Sequence, residues 1–161
     1  MNLKPLALMA NACALVFMML STSVFAMSDL YGNPSELQNL VGKGKWIVVK
    51  VWRSDCGICM KTMPETDSAR YSIPNTNIIG VSLDGDTNVA KNSLSRFNVH
   101  FKNLVSNRSD FNRYLSKSTR KSIKGYPTYM IYSPDGKLKA MQTGDVKPRE
   151  LRQYISQQGS L

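Results

Sequence analysis

Two cysteines two residues apart, Cys56-Gly57-Ile58-Cys59, follow closely on the apolar run Trp46-Ile47-Val48-Val49-Lys50-Val51-Trp52. A β-branched run feeding a C-x-x-C that opens a helix is the layout of a dithiol/disulfide couple. With a helical turn starting at the first cysteine, the two sulfurs come close enough to bridge. The first sulfur also lies at the helix N-terminus, where unpaired N–H groups and the helix dipole favour a thiolate. The thiolate is the attacking species in disulfide exchange, so this spacing points to a reactive cysteine.

Other uses of such a pair are weaker. Zinc needs two more Cys or His ligands, and His100 is the one histidine of the chain. Copper(I) favours soft ligands, and Met60 and Met63 lie near the thiols. Their spacing of three on a helix fits core packing better, and His100 reads as a surface or strand-edge residue. No metal and no cofactor is expected. A purely structural disulfide in a binding module is the other alternative, but so short a loop adds little stability through chain entropy. One histidine and no G-x-S-x-G leave no case for a serine hydrolase.

The elements that position the pair follow from periodicity. Asn33 as cap and Pro34 at the first helical position predict a short helix ending near Gly42. Trp46 to Trp52 reads as a central strand covered on both faces. The helix opened by Cys56 is expected to run to about Tyr71, with Pro64 bending it. Asn77 to Asp84 reads as a second strand, and Thr87 to Asn98 as a helix on Val89, Leu94 and Phe97. Weaker signals give a strand over Phe101 to Val105 and a helix over Ser109 to Ser118. The strand Tyr129 to Tyr132, the turn Ser133-Pro134-Asp135-Gly136 and a return over Lys137 to Thr143 predict a hairpin. Pro148 to Gln157 closes as a helix with Leu151, Tyr154 and Ile155 on one face. This order predicts an α/β fold: a mixed central sheet, helices on both faces, and a C-terminal hairpin plus helix.

Residues 1–26 are set apart from that fold. Lys4, an apolar stretch from Leu6 to Leu20 and the ending Val24-Phe25-Ala26 have the anatomy of a secretory signal peptide. The stretch is short against the ~20 residues of a spanning helix, so cleavage is favoured over a retained inner-membrane anchor. Cys13 would leave with it. Lys4 is the one charge removed, so net charge falls from +10 to +9 over residues 27–161, a length that suits a single domain. The two cysteines that remain are too close in sequence to be a stabilising framework. The excess basic charge (Lys43, Lys45, Lys117, Arg120, Lys121, Lys124, Lys147, Arg149, Arg152) is spread along the chain without aromatic interleaving. It reads as a solvated surface, and no nucleic-acid partner is expected.

Trp52-Arg53-Ser54-Asp55-Cys56-Gly57-Ile58-Cys59-Met60-Lys61-Thr62-Met63-Pro64-Glu65 resembles the active-site stretch of the thioredoxin superfamily, above all its periplasmic TlpA/ResA-like branch. Gly125-Tyr126-Pro127-Thr128 is similar to that family's cis-proline loop, and Pro134-Asp135-Gly136-Lys137 to its following hairpin turn. These landmarks span most of residues 30–158. The resemblance implies a thioredoxin fold and roles for single residues. Cys56 would be the nucleophile and Cys59 the resolving thiol. Pro127 would be cis, with the Tyr126 backbone beside the sulfurs and open to a substrate strand. Trp52 would pack beneath the loop.

Asp55, Lys50 and the Gly57-Ile58 dipeptide between the cysteines depart from the family pattern. Asp55 stands where a Trp is usual, and its charge would oppose a thiolate at Cys56 and favour a basic partner. Lys50 replaces a buried acid that relays the second cysteine's proton. It is expected to snorkel to solvent, since an unpaired buried Lys is costly; the alternative places it near the sulfurs, stabilising a thiolate. Glu65 is a candidate for the relay instead. The resemblance implies an exported, periplasmic thiol–disulfide oxidoreductase, acting as a reductase on cysteine-containing clients and recharged by a membrane-embedded partner. The alternatives are an oxidase or isomerase, a Cu(I)-handling chaperone and a redox-inert binding module. With no dimerisation segment in view, a monomer is expected.

Overall fold

The computed structural model describes residues 26–159. Its centre is a six-stranded mixed sheet in the order β1-β4-β3-β2-β5-β6. The strands are β1 (Ser28–Asp29), β2 (Trp46–Trp52), β3 (Thr76–Ser82), β4 (Lys102–Val105), β5 (Thr128–Tyr132) and β6 (Leu138–Thr143). Strands β2, β3 and β4 run parallel, while β5 and β6 add antiparallel pairs on one side and β1 on the other. The helices are α1 (Gly57–Lys61), α2 (Met63–Ser72), α3 (Thr87–Leu94), α4 (Arg108–Thr119) and α5 (Pro148–Gln158).

Every residue of β2 is buried, as its near-continuous apolar character requires of a strand covered on both faces. Alternation then divides it. Ile47, Val49 and Val51 join Val81, Leu104, Phe111, Leu115 and Met130 in a core closed by α4. Trp46, Val48 and Trp52 face the opposite core, with Cys59, Met63, Ala69, Leu151 and Ile155 from α1, α2 and α5. Lys50 is on this second face, between Val48 and Trp52.

The expected helix after Asn33 is a correction. Asn33 is held by Asp29, to whose carboxylate it donates from its backbone N–H and its side-chain amide, both at 3.0 Å. Its carbonyl accepts from Asp29 N–H at 2.8 Å, and Pro34 bridges to Ser28. With its cap residue engaged upstream, the segment forms one 3₁₀ turn, Leu37–Asn39, which buries Leu37. The helix expected from Cys56 to Tyr71 is two helices broken at Thr62, with Pro64 in the first turn of α2. The helix expected to reach Asn98 stops at Leu94, and Asn98 takes φ +50°.

Candidate active site

Cys56 is the N-cap of α1, and its Sγ accepts the N–H of Cys59 at 3.2 Å. The two sulfurs are bonded to each other, with Cα atoms 5.2 Å apart. The pair is asymmetric: Cys56 is half-buried and flanked by exposed Gly57 and Ile58, whereas Cys59 has no exposure. One sulfur is reachable by a partner and the other is sealed behind it. Met63 is fully buried and Met60 packs against the same core, so both methionines serve packing.

Trp52 ends β2 beneath this loop, fully buried, and its indole N–H donates to Asn103 Oδ1 at 3.0 Å. Asn103 reaches it by crossing Gly80, where an added Cβ would lie 1.7 Å from Asn103 Oδ1. The loop after β2 is tied down by Asp84, whose carboxylate accepts from Ser54 N–H, Ser54 Oγ and Ser82 Oγ. Asp55 is exposed, but Arg53 grips both its carboxylate oxygens at 3.0 and 2.9 Å. The charge expected to oppose a Cys56 thiolate therefore has a cation of its own.

The Tyr126–Pro127 bond is cis. Among the described residues, neither the N–H nor the C=O of Tyr126 has a hydrogen-bond partner. Two guanidinium groups lie near its ring, Arg53 at 6.0 Å and Arg108 at 5.8 Å from the ring centre. Tyr126 and Cys56 both pack against the core cluster that holds Cys59.

Lys50 does not snorkel. It is completely buried, and its Nζ donates to Thr62 Oγ1 at 2.8 Å, Thr66 Oγ1 at 2.9 Å and the Cys59 carbonyl at 3.3 Å. The expectation failed because it considered only the cost of an unpaired ammonium. The break at Thr62 turns two hydroxyls and a carbonyl inward, and these satisfy it. Burial still pulls Lys50 down to about 8, against the attraction of Asp145 and Glu65. Glu65 is exposed, and its carboxylate pairs with Lys147 at 3.1 Å rather than with a cysteine. Lys147 also holds Asp145 at 2.8 Å, and these hydrogen bonds raise it to about 12.

The end of β2, the capped cysteine pair and the cis-proline turn that leads into β5 thus meet at one end of the two neighbouring central strands. A family model described as AhpC/TSA matches residues 21–141. The chain belongs to the AhpC/TSA family. A curated relative of this AhpC/TSA chain, the thiol-disulfide oxidoreductase ResA of Bacillus cereus, is 25% identical over 81% of the chain and 72% of its own length. A secreted Mycobacterium tuberculosis disulfide oxidoreductase superposes with a TM-score of 0.63 at 20% identity, over 83% of this chain and 95% of that one. The thioredoxin domain of a Bacteroides vulgatus thiol-disulfide oxidoreductase gives 0.64 at 23%, over 86% and 97%. The fold is that of thioredoxin, as the sequence resemblance implied.

Arg108, Asp84, Asn103 and Asp145 were not among the residues expected near the site. Arg108 and Asn103 come from segments distant in sequence and carry no local motif. Asp84 reads as the end of the second strand, and the Ser82-x-Asp84 spacing is the available sign of its hydrogen bonding.

Proposed function

We propose that the chain is an exported thiol–disulfide oxidoreductase that reduces cysteine-containing proteins of the cell envelope. The observation that carries this reading is the asymmetric pair: Cys56 reachable and receiving an N–H, Cys59 sealed behind it. In the reductase direction the Cys56 thiolate attacks a client disulfide. A Cys56–client disulfide forms, and the displaced client sulfur leaves as a thiolate and takes a proton. Cys59, having given up its proton, then attacks the Cys56 sulfur, closing the intramolecular disulfide and releasing the second client thiol. Two electrons have moved from the pair to the client, and a dithiol partner in the membrane must return them.

The unpaired N–H and C=O of Tyr126 suit an extended client backbone laid beside the cis-proline turn, as in strand addition. Residues 1–25 lie outside the described residues, so export rests on the charge and hydropathy pattern of that segment. Among the described residues no helix is long and apolar enough to cross a membrane. A periplasmic location is the reading that the pattern of residues 1–25 supports.

The test is insulin reduction followed by alkylation. Cys56→Ser loses all exchange, while Cys59→Ser accumulates mixed disulfides that reductant releases. A Cys59→Ser protein that traps nothing, beside an active wild type, would contradict the assigned roles. The midpoint potential decides direction: about −270 mV fits a reductase and about −120 mV an oxidase.

A further inference from the structure

The surroundings of Lys50 are built for a charged group. The Thr62 hydroxyl donates to the Ile58 carbonyl at 2.9 Å and the Thr66 hydroxyl to the Thr62 carbonyl at 2.8 Å. With both hydroxyl protons on helix backbone, and the Tyr129 hydroxyl 3.2 Å from Thr66 Oγ1 as donor to it, each threonine oxygen keeps a lone pair for Nζ. The third contact, the Cys59 carbonyl, is also an acceptor. Three acceptors and no donor face Nζ, which matches the three N–H groups of an ammonium and leaves a neutral amine one donor short.

This cation has no anion of its own. Among the described residues, no carboxylate lies within ion-pair distance of Lys50. The charged and titratable groups around it come from each neighbouring element. Tyr129 of β5 lies with its ring centre 5.7 Å from Nζ, Glu65 projects from α2, and Asp145 and Lys147 sit between β6 and α5. Both acids are bound to Lys147. Gly80 of β3, in register with Lys50, adds no side chain. A buried charge without a counter-ion is expensive, and a charge that forms beside it during the reaction relieves that cost. Nζ touches the Cys59 carbonyl, so among the groups that gain negative charge in the reaction the Cys59 sulfur belongs to a residue it contacts directly.

We propose that Lys50 is a positioning residue whose positive charge, caged by Thr62 and Thr66 behind Cys59, stabilises the thiolate that appears when the disulfide opens. This deepens the oxidoreductase reading and rests on it. Opposite charge favours the ionised form of a neighbouring group. Lys50 therefore shifts the couple towards its reduced form and makes it less reducing than the same fold without the cation. A buried acid at this position would do the reverse.

The test compares wild type, Lys50→Met and Thr66→Val in graded glutathione buffers, with folding checked by circular dichroism. Chains of residues 27–161 are used, and the reduced proteins are also titrated by thiolate ultraviolet absorbance. Lys50→Met is expected to move the equilibrium about tenfold towards the disulfide, about 30 mV lower in potential. Its thiolate absorbance appears at higher pH. Thr66→Val keeps the shape but removes one acceptor, and shifts both readings the same way by a smaller factor. A folded Lys50→Met with unchanged or raised potential overturns the proposal. If that variant does not fold, an unchanged Thr66→Val overturns it. A wild type with no reversible couple overturns the redox reading and this proposal together, whereas a couple indifferent to Lys50 overturns this proposal alone.

Discussion

The two faces of β2 differ in what they bury. Towards α4 the strand presents Ile47, Val49 and Val51 to an almost wholly apolar core. Towards α1 and α2 it presents Val48, Lys50 and Trp52, and the packing there includes an ammonium, two threonine hydroxyls and an indole N–H, each hydrogen-bonded. The difference teaches where the fold keeps its stability and where it keeps its chemistry. The apolar face supplies burial and, among the described residues, leaves the buried Tyr132 hydroxyl without a hydrogen-bond partner. The other face accepts costly groups because the reactive sulfurs sit on it.

Cutting into the apolar face should give the largest loss of stability and leave the couple alone. Leu115→Ala is expected to cost about 2–5 kcal/mol in denaturant unfolding, with an unchanged midpoint potential. A shifted potential would show that the faces are not separable.

Lys50 sharpens the contrast through pH. In the oxidised protein burial lowers it from 10.5 to about 8. The unfolded chain binds the proton more tightly, so this group makes stability rise as pH climbs from about 8 to about 10.5, and its cost is complete below that window. The effect is on the order of 3 kcal/mol. Oxidised Lys50→Met should lose this rise and be at least as stable as wild type at neutral pH, checked by denaturant midpoints across the window. A wild type whose stability is flat there would mean the ammonium is not penalised.

Gly80 tests the join between the strands. Gly80→Ala puts a methyl where Asn103 crosses to Trp52. It should cost about 1–3 kcal/mol through overpacking, read by thermal unfolding together with a change in tryptophan fluorescence. The smallest effect is expected at the surface. Lys147→Ala breaks an exposed pair to Glu65 and a half-buried one to Asp145 and should change stability by about 1 kcal/mol or less.

Most of the framework was legible in the sequence because its signals are local. The β2 run, the C-x-x-C and the Ser133-Pro134-Asp135-Gly136 turn each declare their structure within a few residues. The Tyr126–Pro127 turn was legible through resemblance. The failures have a common physical origin. Asn33 has the pattern of a cap because the competing acceptor, Asp29, belongs to a strand too short to show a period. Lys50 was expected outside because hydroxyls twelve and sixteen residues away, placed by a helix break, do not register in a local pattern. Arg108, brought beside Tyr126 by the fold, was invisible for the same reason.

The most direct test of the redox assignment is equilibration of the purified chain in graded glutathione buffers, with acid quenching and alkylation counting free thiols. The account predicts that Cys56 and Cys59 gain and lose their thiols together, as one reversible two-electron couple. Two thiols that titrate independently, or a disulfide that never opens in the folded protein, would contradict it.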